Sequence, residues 1–259
     1  MIRAAAVPLA LSVLVAGCTC SEPAQLQGTV LDPWDNPVAG ASVSTEWLDE
    51  PIVTSNKGTF SLPLVEGTQS LEITRDGFIA NTHEIEVPSV DASIATTARL
   101  IPEPEIEGFH LIGPSSYLKL KGVPVSRTSD GMATVHGIPT AGDVEVSAGR
   151  VRGVYHTSLK LDEVHRLTIE LHRLAYRDAA EVVTVDGRQK VDVNLWTTDG
   201  KVDIDRALLG SERNWMYQTD DLPPGTYAFV SRNLLDPTDQ QAFDKTASAA
   251  RMVHPFTVK

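Results

Sequence analysis

Turn-forming residues recur about every eight to twelve positions along this chain, and the stretches between them alternate in polarity as strands do. No helical period is sustained for three turns. Asp32-Pro33-Trp34-Asp35-Asn36-Pro37, Thr54-Ser55-Asn56-Lys57-Gly58 and Val65-Glu66-Gly67 punctuate the first third. Between them lie Val38–Thr45, with Ala41, Val43 and Thr45 on one face by the period of two, then Thr59–Leu62 and Leu71–Thr74. This rhythm predicts small antiparallel β-sandwiches. The two cysteines, Cys18 and Cys20, stand at the extreme N-terminal side, so no disulfide framework holds the strands together. The fold must be held by packing.

The order of these pieces resembles a known module. Gly28-Thr29-Val30-Leu31-Asp32, then Asn36-Pro37-Val38-Ala39-Gly40-Ala41-Ser42-Val43, then Gly58-Thr59-Phe60-Ser61-Leu62-Pro63-Leu64 and finally Leu71-Glu72-Ile73-Thr74-Arg75-Asp76-Gly77-Phe78 resemble a carboxypeptidase regulatory-like domain, the transthyretin-like β-sandwich, over residues 25–101. The physical reading agrees with the resemblance. Gly40 and Gly58 stand where tight turns call for positive φ, Pro37 presets its own φ, and Phe60 is placed to fill the space between two sheets. The resemblance implies an all-β Greek-key fold and carries no catalytic residues with it.

Ile101-Pro102-Glu103-Pro104-Glu105 reads as a stiff linker and domain boundary. Beyond it, Phe109–Ile112 and Tyr117–Leu120 flank a Gly113–Ser116 hairpin turn. Ala133–His136 and Asp143–Ser147 repeat the strand, glycine-proline turn, strand pattern of the first module. A second, divergent sandwich over 105–175 is expected, with 165–174 as its closing strand. A C-terminal β-domain over 176–259 follows, and the sequence leaves open whether it is continuous with 105–175. Asp186-Gly187 between apolar alternations predicts a hairpin through a type I′ turn, which Asp199-Gly200 would repeat. Asp205–Gly210 is expected to make one helical turn and Gln240–Ala250 a helix, before closing strands at Leu222–Val230 and Met252–Val258.

The N-terminus carries an address. Arg3 precedes an apolar run from Ala4 to Val15 that is long enough for a signal h-region and too short to span a bilayer. Val15-Ala16-Gly17-Cys18 resembles the lipobox of bacterial lipoproteins. That resemblance implies removal of residues 1–17 and lipidation of Cys18, leaving 18–24 as a tether. Cys20 then has no intramolecular partner. Thr19, in the place of a retention aspartate, favours the outer membrane over the inner. Membrane lipid through Cys18 is the expected partner.

Charge excludes further classes. The chain holds 34 acidic and 22 basic residues, a net charge of −12 that becomes −13 once Arg3 leaves with the signal, which argues against nucleic acid and against docking on anionic lipid. The seven histidines fit no metal-ligand spacing, no nucleophile elbow or phosphate loop is present, and no cofactor is called for. Two weaker features invite chemistry. Asp199, Asp203 and Asp205 could face a calcium ion in a loop, though three carboxylates fall short of its six to eight oxygens. Trp34 and Trp47 could stack on sugar faces if exposed. The expected role is a non-enzymatic, membrane-anchored envelope lipoprotein acting in structure, adhesion or interaction, with an envelope protein or glycan as partner. The alternative is a carbohydrate-binding or carbohydrate-processing accessory protein.

Overall fold

The computed structural model of the chain describes residues 25–63, 66–88, 93–159, 168–210, 213–232, 234–236, 240–246 and 251–259. It is almost entirely β. The first domain contains β1 (Gln25–Leu31), β2 (Ser42–Ser44), β3 (Ile52–Val53), β4 (Thr59–Pro63), β5 (Gly67–Thr74), β6 (Phe78–Ile79), β7 (Asn81–Val87), β8 (Ser93–Arg99) and β9 (Ile101–Pro102). Two sheets, β4-β1-β8 and β3-β2-β5-β7, face each other across a core that includes Leu26, Val30, Val43, Leu62, Leu71 and Ile73. The strands alternate buried and exposed residues, so one face of each sheet supplies this core. Gly40 and Gly58 both lie at positive φ, as the turns require.

Phe60 fills the inter-sheet space as its position in the sequence suggests, and it explains a glycine. Gly28 is its direct cross-strand partner, and a Cβ on residue 28 would stand 2.0 Å from the Phe60 ring. The ring lies where a side chain of residue 28 would go.

The second unit contains β10 (Gly108–Ile112), β11 (Tyr117–Lys119), β12 (Val123–Pro124), β13 (Ser126–Asp130), β14 (Ala133–Gly137), β15 (Glu145–Val146), β16 (Gly149–His156), β17 (Ile169–Thr184), β18 (Gly187–Val202), β19 (Ile204–Leu209), β20 (Asn214–Leu222), β21 (Gly225–Ser231), α1 (Gln240–Lys245) and β22 (Met252–Val258). One sheet runs β11-β10-β16-β20-β19 and another β12-β22-β21-β17-β18, with β15 added beside β22. Each sheet draws strands from both sides of residue 175, and β17 runs straight through the expected boundary at 175/176. Residues 105–175 therefore form no separate sandwich: the sequence's other reading, continuity with 176–259, is the arrangement found. The reason is pairing. β16 pairs with β10 on one edge, and its other edge is completed by β20, which arrives some sixty residues later in the chain.

The β22-β21-β17 sheet is buried on both faces. Towards the β10-β16-β20 sheet it contributes Leu171, Tyr227, Phe229, Phe256 and Val258, which pack on Phe109 and Tyr217. On the opposite face Leu174, Ala228, Val230 and Val253 pack on Ile138, Leu234, Leu235 and Phe243 of α1. This produces three layers in place of a simple sandwich. It also explains the unbroken burial of β21, where every residue from Thr226 to Val230 is buried.

Several local expectations give way to the sheets. Residues 204–209 form β19, an edge strand paired with β20, where a helical turn was expected; the hairpin hydrogen bonds outweigh a single unsupported turn. Asp199-Gly200 is no hairpin turn. Arg173 pairs with Gly200 and Leu174 with Thr198, leaving Asp199 as the extra residue of a bulge within β18. The described helix near the C-terminus is the six residues of α1, shorter than the expected Gln240–Ala250. Ile101–Pro102 is not a free linker either: it pairs with Phe78–Ile79 and docks the junction onto the first domain.

Trp34 completes that junction. Asp32 accepts hydrogen bonds from the backbone N–H groups of Trp34 and Asn36 at 2.8 and 2.9 Å, forming a side-chain-capped turn that aims the indole at the second unit. There its Nε1–H donates to the Gly113 carbonyl at 2.9 Å and its ring meets Tyr117 edge-on. The Tyr117 hydroxyl in turn donates to the Pro102 carbonyl.

Two predictions follow from this packing. Gly28→Ala should destabilise the first domain by about 1–3 kcal/mol through displacement of Phe60, measured as a lowered denaturation midpoint; an unchanged midpoint would contradict the ring placement. The second concerns acid. Burial holds the His254 imidazole down at about 4, against a small opposing influence from the Leu120 backbone, and burial also lowers His110 and His136. A histidine whose pKa is depressed by folding takes its proton more readily when unfolded. Stability should therefore be constant above the ordinary histidine range near 6.5 and fall as pH drops from there towards 4, each such group adding up to about 1.4 kcal/mol per pH unit. Urea midpoints measured between pH 8 and 4 check this, and His254→Phe should flatten the slope.

Candidate functional site

The most prominent surface feature arises from a mismatch in strand length. β17 pairs with β21 only over Ile169–Leu174, yet continues to Thr184 with β18 as its ladder partner. Ten residues extend past the body, on the order of 30 Å at the usual strand rise. The direction of this arm follows from the register. Asn214 sits at the junction, its Nδ2 donating to Glu103 at 3.1 Å, so β20 leads away from the first domain, β21 starts at the remote end, and the arm continues outward from there.

The arm is braced along its length. Val191, Val193 and Leu195 are buried against Ala133 and Val135 of the β13–β14 hairpin, with Ala180 and Val182 packed alongside. Near the far end the Gln189 side-chain amide donates to the Asp130 carbonyl at 2.9 Å. Two bulges adjust its course, one at Asp199 and one where Arg177 pairs with Leu195 but Ala179 with Asp192, with Asn194 at φ 50. Arg177 clamps the first bulge, reaching Thr197 Oγ1 at 3.1 Å and Asp199 Oδ1 at 2.9 Å.

The tip is open, with exposed valines beside the charged Asp186 and Arg188. Val183 is 79% and Val185 90% exposed, and Met132, at the turn of the bracing hairpin, is 57% exposed. The hairpin at Asp186-Gly187 is present, but its turn differs from the expected type I′. Thr184 pairs with Gly187 around a Val185-Asp186 loop, and neither loop residue has positive φ; Gly187, at φ 121, takes the strained place instead. A β-branched valine in the loop disfavours the left-handed region that a type I′ turn demands.

The sequence's candidate residues are scattered by the fold. Asp199 is paired with Arg177, while Asp203 and Asp205 lie exposed where the chain passes from β18 to β19, an extended stretch and no loop. Among the described residues no group of three histidine, cysteine, aspartate or glutamate side chains is placed to hold a metal ion. Trp34 and Trp47 are both partly buried, and their N–H groups are bonded within the protein, to Gly113 and to Gln69 Oε1 at 2.8 Å. Trp215 is 4% exposed, in the inter-sheet core, and Trp196 meets Tyr176 edge-on across the base of the arm. Cys18, Cys20 and His165 lie outside the described residues.

Sequence reading missed one polar constellation. His172 of β17 places Nδ1 2.7 Å from Thr198 Oγ1 and Nε2 3.1 Å from Glu170 Oε2, and Lys201 donates to Glu170 Oε1 at 2.9 Å. Burial pushes the Glu170 carboxyl up, but hydrogen bonds from Lys201 and His172 outweigh it and hold the group below its ordinary value. Glu170 and His172 are two apart on one strand and so share a face, a signal present in the sequence; Thr198 reaches them only through the β17–β18 register, which the Asp199 bulge shifts. The network satisfies polar groups that the second unit would otherwise bury without partners.

No curated protein matches the chain. Among solved structures it is similar to a candidate carbohydrate-binding protein of Bacteroides uniformis, at 12% identity over 80% of this chain and 87% of that one with a TM-score of 0.24. It is also similar to a candidate membrane-associated protein of unknown function from Bacteroides fragilis, at 9% identity over 80% and 87% with a TM-score of 0.25. A third is the major pilin subunit of Bacillus cereus, at 10% identity over 91% of this chain and 68% of that one, with a TM-score of 0.25. Likenesses this distant carry nothing about function. The family comparison is specific: residues 25–100 match the carboxypeptidase regulatory-like domain, and the two facing sheets, the Gly28–Phe60 pair and the glycine turns lie within that match. Residues 25–100 are a carboxypeptidase regulatory-like domain.

Proposed function

We propose that this protein is an exported lipoprotein, attached to the outer membrane through lipid on Cys18, that acts without catalysis as an interaction module and meets an envelope partner through its arm. The observation that carries this reading is the arm itself. A braced hairpin about 30 Å long ends in two exposed valines that take no part in its buried cluster and are open to contact with a partner. The chain enters the first domain at Gln25, and the opposite end of that strand leads through Trp34 to the second unit, from which the arm points further outward. An anchor before Gln25 would therefore hold the arm at the end remote from the membrane. Among the described residues no helix is long and apolar enough to cross a membrane. The proposed attachment is the thioether-linked lipid, and several acyl chains at roughly 0.8 kcal/mol per buried methylene hold far more firmly than one.

Two experiments test the two halves separately. Labelled palmitate fed to cells should enter the wild-type protein and not Cys18→Ala; equal labelling of the variant would remove the anchor from Cys18. For the arm, a photo-crosslinking residue at position 185 should give a discrete crosslinked product in intact envelopes that Val183→Ser lowers severalfold, whereas the same probe at exposed Val53 of the first domain should give none. Equal crosslinking from both positions would sink the role of the tip.

A further inference from the structure

The β13–β14 brace is rooted in the body at both of its ends. The Val125 N–H, just before β13, donates to the Arg251 carbonyl at 2.9 Å, and Ile138, just after β14, is fully buried in the cluster beneath α1. Two roots side by side define an axis, and they leave rotation about that axis open. Brace and arm would turn together, because Val191, Val193 and Leu195 join them in one apolar cluster. The arm's own strands offer limited resistance. β18 is bulged at Asp199 and again between Leu195 and Asp192, and bulges are where a strand bends. A cleft of about 530 Å³ bounded by Val135, Ala180 and Leu235 leaves room for such a tilt.

One element holds the brace away from its axis. Phe243 of α1 stacks on His136 of β14, with centroids 4.3 Å apart and planes within 21°, and the Arg127 guanidinium of β13 lies 5.9 Å from the centre of the same ring. Arg127 also donates to Asp244 Oδ1 at 3.0 Å. Arg127 and His136 are cross-strand partners, so α1 grips both strands of the brace at one level. The helix is itself fastened to the body. Arg251, next to β22, donates to the Thr246 carbonyl at 2.9 Å and to the Asp244 carbonyl at 3.4 Å, and its guanidinium lies over the Phe243 ring at 4.3 Å.

We propose that α1 is a strut that sets the direction of the arm, with Phe243 and Asp244 as its points of contact on the brace. Phe243 is the stronger hold, being 5% exposed, whereas the Arg127 and Asp244 side chains are 36% and 60% exposed and their pairing is screened by solvent. The arm amplifies events at its foot. With a length of about 30 Å, a rotation of about 10° carries its tip roughly 5 Å. The inference concerns the direction of the arm and holds whether or not the tip meets a partner.

The test measures the distance between spin labels carried on non-natural ketone side chains at positions 185 and 208 of the full chain, which leaves Cys18 and Cys20 untouched. Position 185 is the arm tip, and position 208 lies on the edge strand β19 of the other sheet. The otherwise unaltered chain should give one narrow distribution. Phe243→Ala should broaden it or move its centre by roughly 5 Å or more, and Arg127→Glu and Asp244→Lys should each do so to a smaller extent. Combining Arg127→Glu with Asp244→Lys restores the ion pair in reverse and should recover most of the original distribution. Glu181→Ala, which removes an ion pair with Arg188 inside the arm, should leave it unchanged. A Phe243→Ala distribution matching the unaltered chain overturns the strut, and so does a double variant no narrower than its singles. Should Phe243→Ala lose cooperative melting, the charge-reversal series decides alone.

Discussion

Phe229 lies face to face with Phe109, ring centroids 5.0 Å apart and planes within 7°, and stacks on its other flank with Phe256 at 5.8 Å. Tyr217 tilts against both Phe109 and Phe229. These rings come from β10, β20, β21 and β22, so one aromatic seam binds the start, middle and end of the second unit. Truncating a buried ring of this kind costs about 3–5 kcal/mol, a large share of the stability of a domain this size. The interleaving of 105–175 with 176–259 is the topological expression of that seam. Phe109 comes from the first of these segments and Tyr217, Phe229 and Phe256 from the second.

With the β22-β21-β17 sheet pinned on this side, its second face becomes available for other work. Leu234, Leu235 and Phe243 cover part of it, and the covering stops where β21 ends while β17 does not. Arm and cleft both follow from that mismatch. The unpaired length of β17 needs β18 for its backbone hydrogen bonds and the β13–β14 hairpin for its apolar face. Where brace, arm and the Leu234–Leu235 segment converge they leave a hollow between Val135, Ala180 and Leu235. The exposed arm tip and the hollow at its foot are thus two consequences of one strand outrunning its neighbour.

The first domain was legible because its information is local. Its strands are short and its turns carry their own residues, so Gly40, Gly58 and Phe60 could be placed without tertiary knowledge, whereas the parallel pairing of β1 with the distant β8 could not. Gly28 shows the limit. Its place in the pattern is readable, but the reason for it, a phenyl ring occupying the space of its side chain, exists only across the β1–β4 pair. The junction was misread for a related reason. Proline and glutamate at 101–105 describe an extended chain equally well whether it hangs free or pairs with Phe78–Ile79. In the second unit the errors at Asp199-Gly200 and Asp205–Gly210 share a cause. A dipeptide suited to a turn, or a stretch able to make one helical turn, yields to a long ladder whose partners local sequence does not reveal.

What the sequence determined by itself is what short-range chemistry decides: an all-β chain, the turns that divide its first domain, two cysteines placed too far from the strands to staple them, and the apolar run before Cys18 on which the proposed lipid anchor rests. The tertiary structure alone decided the rest. It brought Glu170, His172 and Thr198 into one network, stacked the buried His136 on Phe243, bonded the N–H groups of Trp34 and Trp47 within the protein, and carried Val183 and Val185 to the end of an arm. Each of these depends on which strands pair and in what register. That choice is made by burial of aromatic surface summed over distant segments, and no window of local sequence contains the sum.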